Sequence, residues 1–254
     1  MYGNKEVKKV QARLLEMAIS IKIVLEKHEI PYSLAYGTLL GAIRHRGFIP
    51  WDDDFDIFIP EERYAEGISF LKKELQTDLF VENAESEPLY FHGWAHVKDL
   101  NTKTSCDLFP QDNLYSHQGL SIDIHVSRRI PENQERLYRT EEHIAYLKRR
   151  LKHGFINENL CNKKILELSK IIQEEQYNKQ NPSQREIYAF KIFYDDRIYP
   201  EELFPLKQYS FENTSFLGPN NADALLKRCY GNYMELPPVE KRHPHYSNVE
   251  WLKN

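Results

Sequence analysis

The stretch Pro31–Pro60, PYSLAYGTLLGAIRHRGFIPWDDDFDIFIP, constrains this chain more than any other, because it crowds four carboxylates against an apolar run. Asp52, Asp53, Asp54 and Asp56 are followed by Ile57, Phe58 and Ile59 between Pro50 and Pro60, which reads as a strand buried in a sheet. Alternation along that strand puts Asp52, Asp54 and Asp56 on one side and Asp53 on the other. Like charges ~5 Å apart at an effective dielectric near 20 repel by roughly 3 kcal/mol per pair. No lysine or arginine interrupts the cluster, so a divalent cation is the natural compensation.

A chain of 254 residues with 41% apolar and 28% charged residues can bury a real core, which argues against disorder. A net charge of -4 excludes a global basic field for nucleic acid, so any anion site must be built locally. Cys106, Cys161 and Cys229 are odd in number and widely spaced, which fits reduced thiols better than disulfides or zinc. No apolar run approaches the ~20 residues of a membrane span, and the N-terminus lacks the apolar stretch of a signal peptide. The expectation is a cytoplasmic protein that meets any membrane-bound substrate at the inner face, by peripheral association.

Val10, Leu14, Met17, Ile21 and Leu25 recur at helical spacing and predict a helix over Val7–His28. A short strand is expected at Tyr32–Tyr36, a turn at Gly37-Thr38, a short helix at Leu39–His45, then the aspartate strand and a helix from Glu61 to about Leu75. Strands are predicted at Asp78–Glu82, Phe91–Asp99, Thr102–Leu108 and Leu120–Val126, the last carrying Asp123 between Ile122 and Ile124. Helical stripes follow at Leu137–Leu151 and Ile165–Ile172, and a further helix is expected over Gln184–Tyr194. Beyond Pro200, a hairpin is predicted around Glu212-Asn213, a helix over Asn221–Tyr230, and an extended basic tail over Leu236–His245. The chain therefore divides into an α/β core (1–130), a helical subdomain (131–198) and a C-terminal segment (199–254) that completes the core and the rim of the site.

The Gly37-Thr38 corner leaves free backbone N–H groups at a helix start, a ready anion site, with the Thr38 hydroxyl as a cap. Asp54 and Asp56 offer hard oxygen ligands, suited to magnesium shared between carboxylates and substrate phosphates, with manganese as an alternative. Asp123, buried in its own strand, completes the site as a ligand or as the base that takes a proton from an attacking hydroxyl. Asp52 is either a further ligand or a partner of Arg44, and Asp53 faces away.

Strand, Gly-Thr, short helix, Asp-x-Asp strand and a later Asp is the pattern of the nucleotidyltransferase fold, a mixed sheet with flanking helices, here carrying a helical insertion. More narrowly the sequence resembles the LicD family of phosphocholine transferases, which includes the fukutin-like proteins. The segments that carry the likeness are Tyr36–Ile57, Val97–Thr102, Ser121–Val126 and Leu225–His245. The resemblance implies transfer of a phospho-alcohol, phosphocholine first, from a CDP-linked donor (CDP-choline favoured) with release of CMP. The acceptor it implies is a hydroxyl of a cell-surface glycan or its lipid-linked precursor, as in teichoic acid, capsule or lipopolysaccharide synthesis. It also implies Asp54, Asp56 and Asp123 as metal ligands and Gly37 and Thr38 as the phosphate corner. After Asp123 the chain departs from the family's usual Phe-Pro-acid with His125-Val126-Ser127. The rival readings are a true nucleotidyltransferase that releases pyrophosphate, a metal-dependent glycosyltransferase, and a non-catalytic CDP-alcohol-binding protein.

Cations for an anionic donor are expected from Arg44, from Lys98 (which otherwise pairs with Asp99), and from Lys241 and Arg242 in the tail. His45 and Arg46 are weaker candidates, and His243 and His245 share the basic tail without the accompanying cysteines of a zinc site. His125 reads as a structural histidine, and Trp51 and Tyr36 as core residues ahead of base-stacking platforms.

Overall fold

A computed structural model describes residues 4–106, 110–189 and 197–252. Helix α1 (Asn4–Lys27) buries the predicted stripe, with Val10, Leu14, Met17, Ile21 and Leu25 all at or below 2% exposure. The chain then runs through β1 (Ser33–Leu34), α2 (Tyr36–His45), β2 (Asp56–Pro60), α3 (Glu61–Glu74), β3 (Leu79–Glu82), β4 (Ala95–Asp99), β5 (Thr102–Cys106) and β6 (Ser121–Pro131). Helices α4 (Glu135–Lys152), α5 (Glu158–Glu174) and α6 (Gln176–Gln180) lead to β7 (Glu186–Ala189). The last part comprises α7 (Pro200–Leu203), the β8 (Lys207–Phe211) and β9 (Thr214–Gly218) hairpin, α8 (Ala222–Tyr230) and β10 (Tyr246–Trp251).

The central sheet is mixed, in the order β1-β2-β6-β4-β3, with β7 joined to the far part of β6. Only the β2–β6 neighbours in it are parallel. That pairing suits β2, whose five residues are all buried, as strands covered on both faces require. Helices α1 and α3 cover the face that carries Ile57, Ile59, Ile122 and Ile124. Gly67 of α3 lies so close to Ile30 and Ile59 that a side chain there would begin 3.1 Å from each. The opposite face is polar around Asp56 and Asp123.

Four expectations need correction. The acidic run is not strand: Asp52–Phe55 is irregular and β2 begins only at Asp56, because the side chain of Gln11 ties down the carbonyls of Ile49 and Asp52 at 3.0 and 2.7 Å. Alternation therefore does not govern Asp52–Asp54. Helix α2 starts at Tyr36, so Gly37 and Thr38 lie inside its first turn instead of in a turn before it; the left-handed Tyr36 (φ 43°) swings the chain directly from β1 into the helix. Glu186–Ala189 is strand, not helix, since Ile187, Tyr188 and Ala189 bury themselves by pairing with β6; residues 190–194 of the expected helix lie outside the described residues. The tail Leu236–His245 is not extended throughout: Val239–Lys241 forms a 3-10 turn, and beyond the tail β10 pairs antiparallel with β5.

Cys161 and Cys229 are free thiols, and the Cys106 side chain lies outside the described residues. Among the described residues no helix is long and apolar enough to cross a membrane.

One ion pair ties α1 to the sheet: Arg13 Nη2 donates to Asp78 Oδ2 at 2.7 Å and to the fully buried Asp99 Oδ1 at 2.8 Å. Removing the guanidinium leaves a buried carboxylate short of a partner. Arg13→Met should therefore lower the unfolding free energy by about 3 kcal/mol; an unchanged urea midpoint would show that the pair contributes nothing.

Candidate active site

The polar face is built by strand register. Asp56 on β2 is the register partner of Asp123 on the parallel β6, and His96 on β4 partners Asp123 from the other side. Ser121 and Lys98 form the next pair along that face, while Ile122, Ile124 and Val97 point into the core. The parallel pair is pinned by Asp123 N–H donating to the Phe55 carbonyl at 3.1 Å, while Ala35 N–H, just after β1, donates to the Asp56 carbonyl at 3.1 Å from the other side of β2.

His125 Nε2 lies 3.0 Å from Asp56 Oδ1, and Asp56, Asp123 and His125 each offer a ligand atom within 4.8 Å of the others. Trp94 Nε1 donates to Asp123 Oδ2 at 2.7 Å, and His96 Nε2 stands 3.4 Å from Oδ1. Asp54 lines a cleft of about 110 Å³, partly open to solvent, together with Asp123, Trp94 and His96; its Oδ1 accepts from the Phe55 N–H at 2.9 Å. Burial, reinforced by the neighbouring carboxylates, pushes Asp56 well above the usual carboxylate range, raises Asp54, and takes Asp123 to about 7 and Asp52 to about 8. Buried oxygens that raise one another in this way, with an imidazole beside them, are a donor set that fits a hard divalent cation.

A second cluster joins Asp52, Asp53 and His245, with His245 Nδ1 at 3.5 and 3.3 Å from the two carboxylates. Asp53 is not a bystander. It is fully buried and its two oxygens accept from the backbone N–H groups of His245 (2.6 Å) and Tyr246 (3.1 Å), anchoring the tail beside the cleft. The hydrogen bond to Asp53 also raises the pKa of His245.

The expected phosphate corner is arranged differently from its reading in sequence. The N-cap of α2 is Ala35, whose side chain makes no capping hydrogen bond. Thr38 does not cap: its Oγ1 accepts from Asp56 N–H at 2.8 Å and so locks the helix to β2. Gly37 is packed against Asp52, whose Oδ2 would stand 3.0 Å from any added Cβ.

Arg44 partners neither Asp52 nor the carboxylate cluster; its Nη1 donates to the carbonyls of Tyr233 (2.6 Å) and Glu235 (3.3 Å). Lys98 is buried and faces a pocket with Asp112, Ser121 and Tyr246, while Asp99 turns the other way to Arg13, so those two do not pair. Arg242 lies over the Trp51 ring at 5.0 Å and donates to the Pro237 carbonyl, whereas Lys241 is exposed. Tyr36 meets His125 edge-on at 5.1 Å.

Sequence reasoning missed Glu82, His92, Trp94, His96, Asp112 and Tyr246. His92, Trp94 and His96 sit at period two, a spacing that could have marked a polar strand face. Glu82, Asp112 and Tyr246 come from distant segments and carry no local signal.

Residues 29–133 match the family profile described as LicD/FKTN/FKRP, nucleotidyltransferase domain. Over 253 residues the chain is 27% identical to the lipopolysaccharide cholinephosphotransferase LicD of Haemophilus influenzae, covering 89% of this chain and 91% of that protein. An uncharacterized protein of Rickettsia prowazekii is 24% identical over 89% of this chain and 59% of its own length. One of Rickettsia typhi is 23% identical over 91% of this chain and 49% of its own.

Two outcomes test this geometry. Asp53→Ala removes two charge-assisted bonds, so exchange of the His245 and Tyr246 amide protons should quicken by the equivalent of about 2 kcal/mol, while an unchanged rate would place the anchor elsewhere. Burial pushes the fully buried Glu82 from the ordinary 4.5 to about 7. Between those values the unfolded chain ionises at this position and the folded chain does not, so wild-type stability falls as pH rises through that window. Glu82→Gln has no such dependence, and its stability relative to wild type should climb by up to about 3 kcal/mol from pH 4.5 to 7 in urea unfolding. A constant difference would show that Glu82 ionises freely in the fold.

Proposed function

Because the chain belongs to the LicD family, we propose that it transfers a phospho-alcohol, phosphocholine first, from a CDP-linked donor to a hydroxyl of a cell-surface glycan or its lipid-linked precursor. CMP is the leaving group. The observation that carries this reading is the pair of buried Asp56 and half-buried Asp123, set side by side by the parallel strands, with His125 within ligand distance. The likeness to the lipopolysaccharide cholinephosphotransferase of Haemophilus influenzae supports phosphocholine as the group and a glycolipid as the acceptor class.

Asp56 and Asp123 are the proposed holders of magnesium or manganese, with Asp54 beside them in the cleft and His125 orienting Asp56. The ion supplies, when bound, neutralisation of the charge on the transferring phosphate and on the departing CMP. Asp123 also takes the proton from the acceptor hydroxyl; Trp94 Nε1–H on its Oδ2 fixes the carboxylate for that task. The backbone N–H of Gly37, in the first turn of α2, is the proposed contact for a donor phosphate next to Asp52, which must move aside or protonate to admit it. Lys98 is the nearest buried lysine to the cleft and is the proposed cation for the diphosphate; Arg44 acts by holding the tail segment at Tyr233 and Glu235.

Asp56→Asn and Asp123→Asn should each lower magnesium-dependent CMP release from CDP-choline by about a thousandfold, several kcal/mol of charge stabilisation, with folding retained. Undiminished release in either variant would remove that residue from the site. Pyrophosphate release from CTP or ATP, in place of CMP release from CDP-choline, would instead make the chain a true nucleotidyltransferase.

A further inference from the structure

One transverse row of the sheet joins four strands. Glu82 on β3 is the register partner of His96 on β4, His96 of Asp123 on β6, and Asp123 of Asp56 on β2. The side chains follow the same line: Glu82 Oε2 stands 3.3 Å from His96 Nδ1, and His96 Nε2 stands 3.4 Å from Asp123 Oδ1. Glu82 is fully buried and His96 is 3% exposed. Asp123 is thus approached on Oδ1 by His96 and on Oδ2 by Trp94.

From this geometry we infer that Glu82 and His96 are positioning residues: the Glu82–His96 pair fixes the orientation of Asp123 from behind, so that its carboxylate meets the cation and the acceptor hydroxyl in one rotamer. The inference rests on the proposed role of Asp123 as ligand and base. A merely structural pair is the competing account, and the energetics disfavour it. A buried carboxylate–imidazole contact costs desolvation that an apolar pair of the same volume would avoid, so its presence needs a use. The use lies in the row itself, because the imidazole reaches the proposed metal ligand on one side and the glutamate on the other. Glu82 sets the ring: its carboxyl at Nδ1, accepting when ionised and donating when protonated, fixes one tautomer in each state and removes the ring's freedom to flip. Groups that orient a ligating side chain in this way typically change metal affinity or activity by about 10–100-fold when removed.

The test uses the full chain and Mn²⁺ as probe, with binding followed by electron paramagnetic resonance and unfolding measured separately without metal. Wild type should bind Mn²⁺, and Asp56→Asn should abolish that binding. His96→Leu should weaken it about tenfold, His96→Gln, which retains an amide donor, should recover part of the loss, and Glu82→Gln should fall between wild type and His96→Leu. Wild-type affinity in a folded His96→Leu or in both milder variants overturns the positioning role while leaving the metal reading intact. Absence of Mn²⁺ binding by wild type overturns both. Should His96→Leu not fold, the ring nitrogen resonances of His96 in wild type decide: they should shift on titration with Mg²⁺ at the midpoint of binding, and unmoved signals refute the coupling.

Discussion

Everything at this site depends on the parallel pairing of β2 with β6. Two carboxylates from distant parts of the chain become neighbours because Asp56 and Asp123 share a register position. A slip of one residue would turn Ile57 or Ile124 into the cleft and bury an aspartate among the side chains that α1 and α3 cover. The register is held from several directions: by the apolar fit of Ile57, Ile59, Ile122 and Ile124, by Asp123 N–H on Phe55, and by the Thr38 hydroxyl on Asp56 N–H. Helix α2 thus serves the strand as much as it serves any ligand.

That arrangement carries an electrostatic cost. Burial and mutual repulsion push Asp52, Asp54, Asp56 and Asp123 above their ordinary range, and among the described residues no arginine forms an ion pair with any of them. The surrounding imidazoles of His125, His96 and His245 and the indole of Trp94 mitigate the repulsion without removing it. The cations nearby are committed elsewhere or lie one pocket away: Arg44 to backbone carbonyls, Arg242 to Trp51, Lys98 to the adjoining pocket. This uncompensated repulsion is the physical ground of the proposed cation and, with it, of the proposed phosphotransfer.

Periodicity and turn chemistry made much of this legible in the sequence. The stripe of α1, the β8–β9 hairpin and the capped α8 follow from local rules, and the carboxylates abutting apolar strands marked Asp54, Asp56 and Asp123, which the fold brings to one face of the sheet. What escaped local reading was decided by partners far along the chain. Asp52–Phe55 stays irregular because Gln11 and the tail backbone engage it. Asp53 looked idle because its partners, His245 and Tyr246, sit at the other end of the chain, and β10 was invisible because pairing with β5 creates it. Glu82 gave no signal because a glutamate ending a strand is ordinary until its register partner is known.

The proposed cation lies between β2 and β6, and the Asp52–Asp53–His245 cluster offers a distinct alternative location. Diffraction from crystals grown with Mn²⁺, recorded at the manganese edge, separates them. The account predicts an anomalous peak bounded by the carboxylates of Asp56 and Asp123; a peak only at Asp52, Asp53 and His245, or none in the cleft at saturating Mn²⁺, would contradict it.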